Sequence, residues 1–187
     1  MTTKLFAQPY DLSANGFYFD STEEYQEKSS NLRNHYGAPV EEFEIQFIDG
    51  EGIDCELFNT LSICQVNISK FFEIVDTWER DEKIRVIISV GQVGYKFDLE
   101  NDTPDQFYVD LYQTDSLKEL AEQFVEEGLF GDIPERLKYY LDYDKISSDL
   151  EIDYSEITID CEHFVYRCDW ALKNNEEPPE RRRSLLR

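Results

Sequence analysis

Between Gly128 and Leu150 the chain reads GLFGDIPERLKYYLDYDKISSDL, with apolar residues interleaved among carboxylates and tyrosines at spacings that suit short helices. Ile133, Leu137, Tyr140 and Leu141 recur at i, i+4, i+7 and i+8, so they make one apolar face that must pack against a neighbouring element. The face left over is acidic. Asp132 is placed to cap the first segment, and Pro134 sits in its first turn, where a missing N–H costs nothing. Asp142 can cap a second segment carrying Tyr143, Ile146 and Leu150 inward, which leaves Asp142, Asp144 and Asp149 at least partly in solvent. A fold for this chain has to bury one side of such segments while holding a dense set of carboxylates in water on the other.

The excess of acid extends over the whole chain. Its 187 residues carry 41 Asp and Glu against 18 Lys and Arg, a net charge of −23, yet 41% are hydrophobic and 14% aromatic. That is too apolar for an acidic disordered segment and long enough to bury a core in one or two domains. The chain is therefore read as a folded polyanion, whose field either keeps it soluble or is itself the function. Asp98 to Asp169 holds 21 acidic and five basic residues, net −16, against −9 for Met1 to Phe97, so the field is strongest in the C-terminal part. Its sign disfavours direct binding to nucleic acid or to an anionic membrane. The longest apolar runs, around Val86 to Val90, are too short to span a bilayer. Cys55, Cys64, Cys161 and Cys168 form no C-x-x-C pair, and the N-terminus lacks the regions of a signal peptide, which points to a cytoplasmic protein with reduced thiols.

Along the chain, Lys4 to Ala7 and Gly16 to Asp20 read as short strands, and a helix opens at Ser21 or Thr22 and runs to about Tyr36. Glu41 to Ile48 alternates, with Phe43, Ile45 and Phe47 on one face and Glu42, Glu44 and Gln46 on the other. Asp49 to Asp54 reads as an acidic turn approaching a boundary near residue 60. Asn67 or Ser69 can cap a helix carrying Phe71, Phe72, Ile74, Val75 and Trp78. Lys83 to Val90 is rich in β-branched residues and taken alone favours a strand, although Asp81 could cap a helix there. Phe107 to Gln113 reads as a strand, and Ser116 with Glu119 fits a capping box for a helix that stops at Gly128. That helix sets Leu117, Leu120, Ala121, Phe124 and Val125 opposite Glu119, Glu122 and Glu126. Tyr154 to Ile159 and His163 to Cys168 read as a hairpin turning at Asp160-Cys161. Residues 171–187, with five basic and three acidic residues and two prolines, read as a disordered tail.

Motifs for chemistry fail in turn. His35 and His163 are the only imidazoles, and no His or Cys pair has the short spacing of a structural zinc site. A calcium loop starting at Asp142 would place Ser147 where glycine is required and Asp153 where the bidentate Glu belongs. Gly91 and Gly94 are not followed by GK[ST], so they form no phosphate loop. Carboxylate pairs are too numerous here to indicate acid–base catalysis. No catalytic residue, metal site or cofactor is assigned, and the chain is read as a non-enzyme.

The stretch DSLKELAEQFVEEGLFGDIPERLKYYLDYDKISSDLEIDYSEITI (Asp115 to Ile159), closing with FVYRC at Phe164 to Cys168, resembles the ArdA antirestriction proteins, and Gly128 to Leu150 is similar to the family's antirestriction motif. ANGFYFDSTEEY and EEFEIQFIDGE extend the resemblance more weakly toward the N-terminus, so that it covers most of residues 5–168. Two positions depart from the family pattern: Ser147-Ser148 stands where Ala-Arg is usual, removing a positive charge, and Cys161 stands where the hairpin usually has glycine. The residues after Trp170 are an extension outside the resemblance.

The resemblance implies a DNA mimic of mobile genetic elements that occupies the DNA-binding groove of a type I restriction-modification enzyme, through its specificity and modification subunits, without chemistry on the target. It implies an α+β fold drawn out as three small domains in a row, with homodimerisation through the last of them near the motif. The expected division is 1–60 (mixed α+β), 61–102 (mainly helical, which favours helix at Lys83 to Val90), 103–170 (α+β, containing 128–150) and the tail 171–187. Duplex DNA carries one charge per about 1.7 Å of axis, so a dimer of net −46 (twice −23) would match about 78 Å, or about 23 base pairs. The expected contact surface is Asp110, Asp115, Glu119, Glu122, Glu126, Glu127, Asp132, Glu135, Asp142, Asp144, Asp149, Glu151 and Asp153, with Leu137, Tyr139, Tyr140, Leu141 and Tyr143 in the motif core or dimer contact. An acidic module blocking some other DNA-binding protein or nuclease is the alternative, and a hydrolase using a carboxylate pair or a cysteine is a more distant one.

Overall fold

The computed structural model describes residues 2–168; the expected tail lies outside the described residues. The architecture is α+β, with seven α-helices and two three-stranded antiparallel sheets among the described residues. The chain forms two compact units, the first ending at Gln106 and the second beginning at Phe107. Residues 1–60 and 61–102, expected as separate domains, both fall in the first unit. None of the described helices is long and apolar enough to cross a membrane.

In the first unit β1 (Lys4–Pro9) is the central strand between β2 (Phe17–Phe19) and β3 (Phe43–Asp49). Leu5 pairs with Phe19 on one side and Phe47 on the other, and Ala7 pairs with Phe17 and Ile45. Leu5, Ala7, Phe19, Phe43 and Ile45 are buried while Glu42 and Glu44 are exposed, as the alternation of β3 requires. Gly16 is obligatory before β2, because a Cβ there would strike the Phe6 ring and come within 2.6 Å of the Ala7 carbonyl oxygen.

Helix α1 (Thr22–Asn31) is capped by Ser21, whose hydroxyl accepts from the Glu24 N–H at 3.3 Å. It stops well short of Tyr36. The Asn34 side-chain oxygen accepts from the N–H groups of Tyr36 and Ala38, so a local turn competes successfully with the helix. The acidic stretch after β3 is not a turn throughout: α2 (Gly52–Thr60) begins inside it, burying Ile53, Leu57 and Phe58 on one side. Asp54 goes inward with them, and Lys83 Nζ reaches its Oδ1 at 2.8 Å in a pair whose side chains are 4% and 8% exposed.

Helix α3 (Ile68–Thr77) buries Ile68, Phe71 and Ile74, while the Asn67 side chain at its start accepts from the Cys64 N–H instead of the helix. Lys83 to Val90 is helical. Helix α4 (Arg80–Val86) continues into a π-helical segment, Ile87–Gln92, and the strand suggested by its β-branched residues does not form. A capping box of Glu79 and Glu82 starts it, and Ile84, Val86, Ile87 and Ile88 are all buried. Burial nearly all round is what lets such a segment be a core helix in spite of its strand propensity.

In the second unit β6 (Glu162–Cys168) lies between β4 (Val109–Gln113) and β5 (Ser155–Ile159). The β5–β6 turn is made by Asp160 and Cys161 with φ of 51° and 63°, the positive pair that a type I′ hairpin needs, adopted here without glycine. Helix α5 (Leu117–Glu126) buries Leu117, Leu120, Ala121, Phe124 and Val125, all on the face expected. Leu117, Leu120 and Phe124 form the core with Tyr154 and Val165, and Tyr112 and Leu150 pack against it. Gly128, at φ +76°, ends the helix in the left-handed conformation. Then follow a single turn, α6 (Glu135–Lys138), and α7 (Tyr143–Leu150).

Candidate functional site

The acidic surface is built on α5 and α7. Ser116 caps α5 by accepting from the Glu119 N–H at 3.2 Å. Glu119 bonds back one residue further than a standard capping box, to the N–H of Asp115 at 3.0 Å and the hydroxyl of Thr114 at 3.1 Å. Glu156 on β5 accepts from the Leu117 N–H at 2.7 Å, so a second free donor of the helix start is satisfied from the sheet. Asp142 caps α7, accepting from the Lys145 N–H at 3.2 Å.

These two helices run in the same direction, side by side. Lys118 in the first turn of α5 pairs with Asp144 in the first turn of α7 at 2.7 Å. At the far ends, the rings of Phe124 and of Tyr154, four residues beyond α7, lie 5.8 Å apart. Glu119, Glu122 and Glu126 are therefore exposed along one helix while Asp144, Asp149, Glu151 and Asp153 are exposed along and just after its neighbour.

Twelve of the thirteen carboxylates expected at the surface are exposed; Asp110 is the exception. It lies half-buried on β4, where Arg167 of β6 donates to one of its oxygens from Nε at 3.0 Å and from Nη2 at 2.6 Å. That pair ties the two strands together, and Arg167 also stands over the Tyr154 ring. Asp142, Asp144 and Glu135 are exposed but ion-paired, with Lys145, Lys118 and Lys138 respectively. Asp115, Glu119 and Glu127 have hydrogen bonds within their own helix or its start. Glu122, Glu126, Asp132, Asp149, Glu151 and Asp153 have no Lys or Arg within ion-pair distance among the described residues. Of these six, Glu122 and Glu126 still act on Lys118 and Lys138 through space.

The ionisation of the paired groups follows from their partners. The Lys118 ammonium is held above its ordinary range by its hydrogen bond to Asp144, and Lys138 likewise by Glu135. Asp142 is held below the usual carboxylate range, first by the Lys145 backbone N–H and then by the Lys145 ammonium. All three therefore keep their charges at neutral pH.

The motif's apolar face lies partly open within one chain, which leaves the dimer-contact half of the expectation for Leu137, Tyr139 and Tyr140. Pro134 occupies the N-cap position that Asp132 was expected to fill, and the helix after it lasts one turn. Within a single chain Leu137 is 47% exposed and Tyr139 and Tyr140 are each 85% exposed, while Leu141 and Tyr143 are half-buried. Among the described residues no element covers Leu137, Tyr139 or Tyr140, whereas Ile133 and Leu141 of the same periodicity are half-buried. Sequence reasoning also missed Leu129, Phe130 and Ile152, at 59%, 51% and 77% exposed. Their only signal was an apolar residue next to carboxylates, which is common at helix ends.

No disulfide links Cys55, Cys64, Cys161 and Cys168 to one another, and no group of three His, Cys, Asp or Glu among the described residues could hold a metal ion. An open cleft beside the hairpin turn gathers Asp115, Glu119, Cys161, Glu162 and His163, but His163 Nδ1 is engaged with the Thr114 carbonyl oxygen at 3.0 Å. No curated protein sequence matches the chain. The family model described as "Antirestriction protein (ArdA)" matches residues 12–164.

Proposed function

The chain belongs to the ArdA family of antirestriction proteins, and from that membership we propose that it is a DNA mimic that competes with DNA for the binding groove of a type I restriction-modification enzyme. The observation that carries this reading is the pair of aligned helices displaying Glu122, Glu126, Asp149, Glu151 and Asp153, none of them in an ion pair among the described residues, in a chain of net charge −23. A groove lined with Lys and Arg to hold phosphates would meet carboxylates from both helices together, since residues 119, 122 and 126 alone rise about 4.5 and 6 Å apart along their axis, sparser than the about 3.4 Å per phosphate of one DNA strand. Association is then fast, steered by charge and weakened by salt, as it is for DNA itself. Inhibition is stoichiometric occupation of the groove.

The exposed Leu137, Tyr139 and Tyr140 are the proposed contact with a second copy, which would join two acidic surfaces into one footprint. Burying such a face removes apolar area that isolated chains leave in water. The contact set proposed for the target is the twelve exposed carboxylates, with Asp110 now assigned to strand pairing through Arg167. The three-domain organisation along residues 1–60, 61–102 and 103–170 is part of the same proposal.

The test is a panel. The chain is titrated at one salt concentration into a type I enzyme's cleavage reaction, the same enzyme's methylation reaction, and an unrelated DNA-binding protein of similar affinity. Inhibition of the type I enzyme at concentrations well below those that affect the unrelated protein supports the reading. Equal effects on all DNA-binding proteins would instead make the chain a general acidic competitor, and inhibition of the unrelated protein alone would reject the type I target.

A further inference from the structure

Lys118 is a cation placed against the preference of its own helix. It stands in the first turn of α5, just after the N-cap Ser116, where the helix dipole favours carboxylates and opposes a positive charge. Its ammonium reaches Asp144 Oδ1 at 2.7 Å, in the first turn of α7. The other two lysine pairs of the acidic surface, Lys138 with Glu135 and Lys145 with Asp142, join residues three apart in one segment, whereas this one spans two helices. Further carboxylates surround it. Glu122 follows one turn along the same face of α5 and Asp142 caps α7, and both act on the Lys118 ammonium through space.

The pair contributes little to holding the helices together. The side chains of Lys118 and Asp144 are 49% and 78% exposed, so water screens their attraction, while α5 carries Leu117, Leu120 and Phe124 into a core with Tyr154, against which Leu150 of α7 packs. What the pair changes is what a partner meets. Asp144 belongs to the acidic surface, yet its charge is already answered by an ammonium on a flexible four-carbon stem. An incoming Lys or Arg reaches Asp144 only by displacing that ammonium, which then remains in the interface as a like charge.

We propose that Lys118 is a built-in competitor of the basic target: it occupies Asp144, between the carboxylates of α5 and α7, and so lowers the affinity of the acidic surface for a polycationic partner. The consequence for a type I enzyme rests on the DNA-mimic reading, whereas competition for Asp144 rests on the pair itself. An exposed ion pair shifts an equilibrium by up to about fivefold, so removing Lys118 should tighten binding by about two- to fivefold.

The test is a double-mutant cycle in the full chain, with Lys118→Gln, Asp144→Asn and the two together. Lys118→Arg keeps the charge, and Lys70→Gln removes an ion-paired lysine of the first unit to measure the effect of net charge alone. Two readouts are taken at one low salt concentration: binding of a fluorescent deca-arginine peptide, and inhibition of a type I enzyme. Lys118→Gln should tighten both about two- to fivefold while the thermal midpoint stays within a few degrees, and Lys118→Arg should tighten neither. Asp144→Asn should cost the Lys118→Gln chain about two- to fivefold more than it costs the wild type, because only there is Asp144 open to the partner. Weaker binding or a large drop in the midpoint for Lys118→Gln would make Lys118 a contact or a positioning residue and overturn the proposal. Equal costs of Asp144→Asn in both backgrounds, or an equal gain from Lys70→Gln, would overturn it too. If the peptide shows the coupling while no chain inhibits the enzyme, the competition stands and the DNA-mimic reading fails; if all chains inhibit equally, the competition fails and that reading stands.

Discussion

Neutralising the five carboxylates Glu122, Glu126, Asp149, Glu151 and Asp153 as a block, to Gln and Asn, tests whether binding is distributed over a surface. All five are exposed and none has an ion-pair partner among the described residues, so their removal costs only the through-space attraction of Glu122 and Glu126 to Lys118 and Lys138 and should leave the thermal midpoint within a few degrees. The net charge falls from −23 to −18. An exposed charge pair contributes about 0.2–1 kcal/mol, so five together contribute about 1–5 kcal/mol, or roughly fivefold to several-thousandfold in affinity. Single changes should each cost less than about fivefold. The assay is competition against labelled DNA on the target enzyme, followed by fluorescence anisotropy over a range of salt. The block variant should lose affinity progressively with each charge removed, and its salt dependence should become shallower because fewer charge contacts form. Loss of nearly all the affinity through one of the five substitutions, or an unchanged block variant, would refute a distributed mimic built on these two helices.

The buried pair makes a separate prediction for the first unit. Lys83→Met leaves Asp54 charged and without its partner inside the core, which should destabilise that unit by about 3–5 kcal/mol, whereas Lys83→Met/Asp54→Leu should recover much of the loss; chemical denaturation measures both. Tyr139→Ser/Tyr140→Ser should leave the fold intact, since both rings are 85% exposed, but weaken self-association at least tenfold by sedimentation equilibrium. Asp142 has its pKa depressed in the folded chain, so it adds stability above the ordinary carboxylate range that disappears as pH falls through its folded pKa. Acid titration followed by the amide signals of Tyr143 to Leu150 should show this helix loosening with acidification, and Asp142→Asn should shift or flatten that transition.

How much of this was legible depended on whether a signal was local. The starts of α5 and α7 were readable because Ser116 and Asp142 cap them through hydrogen bonds spanning three residues. The hairpin turn at Asp160-Cys161 was readable from the alternating runs on either side, although its positive φ values are carried without glycine. Helix α2 was hidden because its N-terminal half is acidic and begins with glycine, while its apolar residues Ile53, Leu57 and Phe58 have a clear purpose only against the core. The segment Lys83 to Val90 was ambiguous for a related reason. Buried on nearly every side, it has no polar face to reveal a helical period, and Asp54, the partner of Lys83, lies 29 residues away. At the acidic surface, exposure of carboxylates followed from helix faces, but the pairing of Asp110 with Arg167 depended on the register of β4 against β6. The apolar face of the motif was visible as a pattern, whereas its exposure could be seen only once α6 proved to be a single turn.

The most direct measurement of the central claim is displacement. A type I restriction-modification enzyme is saturated with labelled duplex and titrated with the chain at two salt concentrations. The account predicts that DNA is released at close to one dimer per DNA-binding site, and that the affinity measured for the chain falls as salt rises. Retention of DNA at saturating chain, or formation of a ternary complex with the DNA still in place, would contradict it.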